Sequence, residues 1–187
     1  MVRLTTITTK TGDDGTTGLA DGTRRPKYDL RIQAIGAVDE ANAALGIART
    51  HTADTDDGLL ARVQNDLFDL GADLASPEGT TNPLRITPAQ VLWLEEEQSR
   101  MLGLLEPLES FILPGGNPAS AALHLARTIV RRAERAISEL NAREPVNPAA
   151  LHYINRLSDF LFVLGRFLND QGINEHLWQP AGSRKTE

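Results

Sequence analysis

Cysteine is absent from this 187-residue sequence, and histidine occurs only four times. Without thiols, the chain has the means for neither a disulfide framework nor a thiolate metal site. No two histidines are four residues apart, so the helical ligand pair of a zinc hydrolase is missing as well. The sequence also lacks an apolar run of membrane-spanning length, and its first residues are typical of neither a signal peptide nor a presequence. We therefore expect a soluble, cytoplasmic protein.

Positive charge is also scarce, since 19 lysine and arginine residues are outnumbered by 25 aspartate and glutamate residues. The formal net charge of −6 argues against diffuse nucleic-acid binding, which requires a concentrated basic surface that neutralises phosphates. The length suits one well-buried core, and 41% apolar residues is ordinary for a globular protein. We expect a single domain without an internal repeat, and a partner that is neither nucleic acid nor membrane.

Helical periodicity dominates the sequence after about residue 30. It predicts an all-α fold, a bundle of five helices at about residues 31–49, 59–75, 88–105, 119–141 and 148–170. Thr87 and Pro88 suit the N-cap and first turn of the third helix. The domain then comprises an irregular head (1–29), a helical body (30–171) and a tail (172–187).

The segment TKTGDDGTTG, residues 9–18, combines glycine and threonine with one lysine. Exposed amides, hydroxyl groups and a cation are suited to holding phosphate oxygens. The Gly-Lys-Ser/Thr ending of a Walker A motif is missing. Taken alone, the segment is compatible with either a phosphate-binding loop or an ordinary glycine-rich connection.

Arginine occurs five times between Arg127 and Arg143, in or just after the fourth predicted helix, which contains no lysine. Helical projection places one apolar side at Ala122, Ala126, Ile129, Ala133, Ile137 and Leu140. The opposite side contains Ser120, His124, Arg127, Arg131, Glu134 and Ser138. Planar guanidinium groups suit bidentate recognition of phosphate or carboxylate, although the same pattern also fits a solvated helix face. In the fifth helix, Asn155 suits either a base or ribose contact or a solvent-facing position.

Several separated motifs, taken together and in this order, resemble the ATP:cob(I)alamin adenosyltransferases of the trimeric, five-helix type. They are TKTGDDGTTG (9–18), RRPK (24–27), GAVDEANA (36–43), FILPGG (111–116), RTIVRRAER (127–135) and YINRLSDFLF (153–162). The resemblance extends from about residue 8 to residue 178. One departure is Ala41, where relatives often have leucine.

The resemblance implies transfer of the 5′-deoxyadenosyl group of ATP to the cobalt of cob(I)alamin, with release of triphosphate. It also implies a homotrimer with active sites between subunits. Mg²⁺ would bridge the phosphate oxygens, with Glu134 as the candidate protein ligand. An electron-donating reductase and a cobalamin-dependent mutase are candidate partners.

The family's residue roles are carried over to the matching positions. The implied ATP-binding residues are Thr9, Lys10, Thr11, Gly12, Thr17, Gly18, Lys27, Arg131, Arg132, Ala133, Glu134, Arg135 and Asn155. The implied catalytic residues are Arg131, Glu134 and Phe111, and Phe111 would lie against cobalamin and displace the lower axial ligand of the cobalt. By pattern alone, Phe111 would be assigned to the core. Arg127 would form an ion pair with Asp39 across the subunit boundary.

Two other functions are compatible with a phosphate-binding helical bundle. One is a nucleotide-binding protein without catalysis, such as a sensor or a carrier of finished cofactor. The other is a kinase-like phosphotransferase. The products separate the three: triphosphate with alkylated cobalt, unchanged ATP, or ADP.

Overall fold

The computed structural model describes residues 7–183. The first six residues of the predicted head and the last four of the predicted tail lie outside the described residues. Five long helices make up most of the described chain, so the predicted helical fold is confirmed. They are α1 (Leu30–Arg49), α2 (Asp54–Leu74), α3 (Pro88–Leu102), α4 (Pro118–Asn141) and α5 (Pro148–Leu168).

Some helix ends differ from the prediction. Helix α2 begins at Asp54 rather than at residue 59, because its first turn is polar and hydrophobic periodicity does not mark it. Helix α3 ends at Leu102 rather than at residue 105. Helix α5 ends at Leu168, and the positive φ angles of Asp170 and Gln171 prevent its continuation. Thr87 and Pro88 begin α3 as predicted, with a capping box between Thr87 and Gln90.

The head is not wholly irregular, because it contains a small antiparallel hairpin. Strand β1 (Thr16–Gly18) pairs with β2 (Arg24–Pro26), and Thr17 lies opposite Arg25. The Asp21 carboxylate accepts hydrogen bonds from the backbone N–H and the hydroxyl of Thr23, at 2.9 and 2.7 Å. Such side-chain bonds to the nearby backbone stabilise a tight turn. The preceding glycine-rich loop is thus connected directly to a hydrogen-bonded hairpin.

Helix α4 lies at the centre of the bundle and packs against both α1 and α5. Helix α2 packs on the outer side of α1, and α3 packs against α5. None of the helices in the described part of the chain is long and apolar enough to cross a membrane.

The buried face of α1 differs from the one suggested by its isoleucines. Small residues fill it, including Ala34, Ala41 and Ala48, whereas Ile47 is 58% exposed. Val38 and Leu45 are buried as well, so the covered side of α1 combines small residues with two larger aliphatic ones.

The polar side predicted for α4 is not solvated throughout. Ser120 and His124 are buried, whereas Arg131 and Ser138, farther along the same side, are exposed. The cause is that the first turns of α4 are covered on both sides, and His124 packs edge-on against Phe162 of α5 at a ring distance of 6.0 Å.

Candidate active site

The loop that precedes β1 is held in one shape by Arg24. The guanidinium group of Arg24 donates a hydrogen bond of 2.6 Å to the carbonyl of Thr11 and one of 2.9 Å to the Thr16 hydroxyl. The Asp14 carboxylate accepts from the Thr16 N–H at 2.9 Å. Gly15 has a φ of +82°, a conformation that side chains disfavour. The loop is therefore exposed yet ordered.

Lys27 lies against this loop. A Cβ built at Gly12 would lie 3.1 Å from the Lys27 Nζ, so the absence of a side chain at Gly12 lets the ammonium group approach the backbone. The Lys27 N–H also donates to the carbonyl of Gly15 at 2.9 Å. The structure thus brings Lys27 of RRPK beside the glycine-rich loop and sets a cation close to its threonine hydroxyl and backbone amide groups. This combination is suited to an anionic ligand.

The second group of candidate residues lies on α4 and α5. Arg131 is exposed, Arg132 forms an ion pair with Glu40 of α1, and Arg135 donates to the carbonyl of Arg131 at 3.1 Å. Ala133 is fully buried in the core, which leaves its side chain no surface for a ligand.

A polar chain links α4, α5 and α3 beside these arginines. Glu134 accepts a hydrogen bond of 2.8 Å from the Asn155 side-chain amide, and Asn155 accepts one of 2.7 Å from Arg156. Arg156 in turn donates to Glu95 at 2.7 Å. Asn155 is thus held by its neighbours instead of facing solvent alone. No cluster of three or more metal-ligating side chains occurs among the described residues.

The loop and the α4 arginines are not joined by polar contacts within the described part of this chain. Over residues 7–183, no hydrogen bond or ion pair links residues 9–18 to Arg131, Arg132 or Arg135. The head instead contacts the bundle elsewhere: the Ala20 N–H donates to the carbonyl of Ala75 at 2.9 Å. Among the described residues, the chain therefore presents two groups of cationic residues that share no hydrogen bond or ion pair.

Phe111 is 79% exposed and does not belong to the core. Its ring makes an edge contact with Trp178, with centroids 6.3 Å apart. The segment around Phe111 pairs with the tail through hydrogen bonds from Trp178 N–H to the Phe111 carbonyl (2.6 Å) and from Leu113 N–H to the His176 carbonyl (2.7 Å). The tail thus holds an apolar ring in contact with solvent, where a flat apolar ligand can pack against it.

Gly116 connects the segment that carries Phe111 to α4. Its φ is +102°, and a Cβ at this position would lie 2.5 Å from the Asn169 side-chain oxygen. That oxygen accepts a hydrogen bond of 3.0 Å from the Asn117 N–H at the start of α4. The second glycine of FILPGG is therefore required by both backbone conformation and space.

Arg127 has no ion-pair partner among the described residues, and its guanidinium group lies 5.8 Å from the centre of the Phe162 ring. Its Nε is buried and makes no hydrogen bond among the described residues, and no ion pair joins Arg127 to Asp39, which is exposed on α1. Burial and the nearby charge of Arg131 lower the pKa of Arg127. Burial also lowers the pKa of His124, as does the charge of Arg127, and its Nδ1 likewise lacks a partner in the described chain. An added acceptor would stabilise the Arg127 Nε–H, and a hydrogen-bond partner of either kind would stabilise the His124 Nδ1, depending on its tautomer.

The sequence predicts no role for three residues that shape this region. Arg24 organises the loop, Trp178 contacts Phe111, and Glu144 binds Arg25 of β2 at 3.1 Å. The sequence shows two adjacent arginines at 24–25, but it does not show that they bind different partners. Glu144 lies 119 residues from Arg25, beyond the reach of any local pattern.

Known proteins resemble this chain over nearly its full length. Residues 7–168 match the model of the family described as cobalamin adenosyltransferase. The corrinoid adenosyltransferase of Mycobacterium tuberculosis (strain H37Rv) is 48% identical over 190 residues, covering 98% of this chain and 97% of that protein. The cobalamin adenosyltransferase of Cupriavidus metallidurans is 47% identical over 180 residues, covering 95% and 96%.

Solved structures agree with this similarity. A phenylalanine-to-alanine variant of the PduO-type ATP:corrinoid adenosyltransferase from Lactobacillus reuteri, complexed with cobalamin and ATP, superposes with a TM-score of 0.87. It is 35% identical, and the match covers 94% of this chain and 100% of that one. The resemblance drawn from the motifs is confirmed, and the chain belongs to the cobalamin adenosyltransferase family.

Proposed function

We infer that this protein transfers the 5′-deoxyadenosyl group of ATP to the cobalt of cob(I)alamin, releasing triphosphate. The observation that carries this conclusion is the full-length similarity to corrinoid adenosyltransferases, one of them complexed with both cobalamin and ATP. In the reaction, the electron pair of Co(I) forms the bond to C5′ of the ribose. The C5′–O bond breaks, and its electron pair leaves with the triphosphate. Because the metal substrate is itself the nucleophile, no protein nucleophile is needed.

ATP is proposed to bind between the glycine-rich loop of one subunit and α4 of another. The loop would contribute Thr9, Lys10, Thr11, Gly12, Thr17 and Gly18, together with Lys27. The helices would contribute Arg131, Arg132, Glu134, Arg135 and Asn155, whereas the fully buried Ala133 would only hold its neighbours in place. The position of Lys27 against Gly12 supports the first half of this site. Fixed cations directed at the departing triphosphate offset the negative charge that grows on it during the reaction.

Mg²⁺ is proposed to accompany ATP. Glu134 is half-buried beside the arginines, and one of its carboxylate oxygens accepts a hydrogen bond from Asn155. The other oxygen is the proposed ligand of the ion. A single carboxylate with phosphate oxygens and water is the coordination that Mg²⁺ favours in nucleotide sites. When bound, the ion would neutralise part of the phosphate charge.

Cobalamin is proposed to lie against Phe111. The exposure of this ring supports the role, because a macrocycle needs an apolar surface that is open to solvent in the free protein. A ring in this position would displace the lower axial ligand of the cobalt and make cob(II)alamin easier to reduce. Arg131 and Glu134 are the other proposed catalytic residues.

A homotrimer is proposed as the active form, with Arg127 paired to Asp39 of the neighbouring subunit. The guanidinium of Arg127, which has no ion-pair partner among the described residues, supports this pairing, as does the absence of polar contacts between the two cationic groups in that part of the chain. The reductase and mutase partners and the cytoplasmic location stay predictions.

Product analysis tests the proposed function. Purified protein is incubated without oxygen with Mg²⁺, ATP and chemically reduced cobalamin, and the visible spectrum is followed while phosphate products are separated. We expect adenosylcobalamin and triphosphate in equal amounts. ADP would instead identify a phosphotransferase, and unchanged ATP with measurable binding would identify a nucleotide-binding protein without catalysis.

A further inference from the structure

A carboxylate at the end of α4 receives two guanidinium groups from different parts of the chain. Glu144 accepts from Arg25 of β2 at 3.1 and 3.4 Å. It also accepts from Arg31, in the first turn of α1, at 2.9 and 3.3 Å. Arg25 makes a further ion pair of 3.3 Å with Asp29, which caps α1. The head hairpin and the helical bundle are thus joined through one acid.

This acid is itself firmly placed. The Glu144 N–H donates to the carbonyl of Leu140 at 2.8 Å, so the residue continues directly from the last turn of α4. Its partner Arg31 is 3% exposed and donates a further bond of 2.7 Å to the carbonyl of Leu74 at the end of α2. Glu144 and Arg31 together therefore connect the ends of α2 and α4 with the start of α1.

Neighbouring arginines of β2 hold the two sides of the hairpin. Successive side chains of a strand point to opposite faces. Arg24 is directed to the glycine-rich loop, where it binds Thr11 and Thr16, whereas Arg25 is directed to Glu144. Lys27 follows directly after the strand. Fixing Arg25 thereby fixes the strand whose other residues shape the loop.

The head has little apolar contact to hold it otherwise. Among the described residues 7–29, only Leu19 is buried. Ordering a segment costs conformational entropy, which apolar burial usually offsets. Here polar contacts to the bundle must supply that stabilisation, and the Arg25–Glu144 ion pair, two residues before Lys27, is one of them.

We propose that Glu144 is a positioning residue for ATP, which acts through Arg25 by holding the phosphate-binding loop in its binding conformation. This rests on the proposed function to the extent that the loop binds ATP. A head released from Glu144 would populate the binding conformation less, and apparent ATP affinity falls in proportion to that population. The chemical step at saturating ATP would be unaffected.

The test uses Arg25→Gln, Glu144→Gln and the double variant. Each single variant is expected to raise both the Kd and the KM for ATP about fivefold, as expected from the loss of one partly exposed ion pair. The kcat and the KM for cobalamin should change by less than about twofold, whereas a general loss of structure would lower kcat as well. The double variant should bind ATP no more weakly than the weaker single variant, because each single substitution already breaks the Arg25–Glu144 ion pair. Arg25→Gln keeps the test open if Glu144→Gln, which leaves Arg31 without its acid, fails to fold.

Asp57→Asn is the matched control. It breaks the Arg49–Asp57 ion pair, whose side chains are 32% and 35% exposed, against 33% each for Arg25 and Glu144. This pair lies at the opposite end of α1, so ATP affinity should stay unchanged. An Arg25→Gln protein with wild-type ATP affinity would overturn the positioning role while leaving adenosylation intact. Since Kd is measured without cobalamin, a protein that binds ATP but makes no adenosylcobalamin would overturn the proposed reaction alone. A wild-type protein that binds no ATP would overturn both.

Discussion

Phe111 shows how a single residue can depart from its sequence pattern. It stands between a serine and two aliphatic residues, a context typical of a core position, yet its ring is among the most exposed in the described chain. The tail holds the ring by an edge contact with Trp178. An exposed phenylalanine lacks the stabilisation of about 1.5–3 kcal/mol that burying its side chain would contribute. A ligand that covers the ring would explain this exposure.

Phe111→Ala should slow adenosylation at least about tenfold when the reaction starts from cob(II)alamin and a reductant, equivalent to about 1.4 kcal/mol. The loss should be smaller with chemically prepared cob(I)alamin, because the ring is proposed to assist reduction. The Kd for ATP should stay within about twofold. Phe68→Ala is the control, since Phe68 of α2 is also a largely exposed phenylalanine, at 70%. Equal losses from both cobalt states, or a matching loss of ATP affinity, would contradict this role.

At the scale of elements, Asp73 joins three segments at one end of the bundle. This buried carboxylate, in the last turn of α2, accepts from the Ile86 N–H at 2.8 Å and from Arg85 at 2.6 Å, just before α3. It also accepts from the Asn147 side chain at 2.7 Å, at the start of α5. Buried acids are retained where several donors depend on them. Asp73 therefore contributes to stability rather than to chemistry.

Asp73→Ala should lower the free energy of unfolding by about 3 kcal/mol, because a buried amide and a guanidinium group lose their acceptor. Urea denaturation measures the change, with Glu96→Ala on the exposed face of α3 as the control. The activity of the folded fraction should be preserved. A loss of less than about 1 kcal/mol would show that water replaces the carboxylate.

At the scale of the whole molecule, no hydrogen bond or ion pair joins the two cationic groups within residues 7–183. The head contacts the end of α2 through the Ala20 N–H of the hairpin turn, whereas the arginines extend along α4. Arg127 adds a partly buried charge with no counterion in the described chain. Both features are consistent with the proposed homotrimer, in which a neighbouring subunit would supply the other half of the site.

Arg127→Ala should raise the protein concentration at which the trimer dissociates by at least about tenfold, since truncating one partner of a buried charge pair costs about 2–5 kcal/mol. Adding Asp39→Ala should weaken assembly little further, because the pair is already broken. Sedimentation equilibrium over a range of protein concentrations provides the measurement. Arg143→Ala, at an exposed position after α4, is the control. A monomeric wild-type protein, or an Arg127→Ala trimer of full activity and unchanged dissociation, would contradict the pairing.

Periodicity predicts well where a helix has one covered side. The stripe of α2 at Leu60, Val63, Leu67, Leu70 and Leu74 is fully buried, as its spacing indicates. It predicts poorly for α4, because this helix has neighbours on two sides and buries His124 together with the apolar residues. Periodicity of large apolar residues also fails to indicate the buried side of α1, which includes Ala34, Ala41 and Ala48.

The candidate site divides in the same way. Its loop and its RRAER segment are continuous in sequence, so their chemistry is readable as composition and spacing. The shape of the loop depends on Arg24, and its anchoring depends on Arg25 and Glu144, which are 119 residues apart. No local pattern carries information about such a pair.

The amino-acid order alone determined the five helices and the family, because periodicity, turns and motifs act over short distances along the chain. Only the tertiary structure decided that Phe111 is exposed, that His124 is buried and that Glu144 holds the head. These properties depend on which faces other elements cover and which charges they bring together. Both are set by packing across the whole molecule.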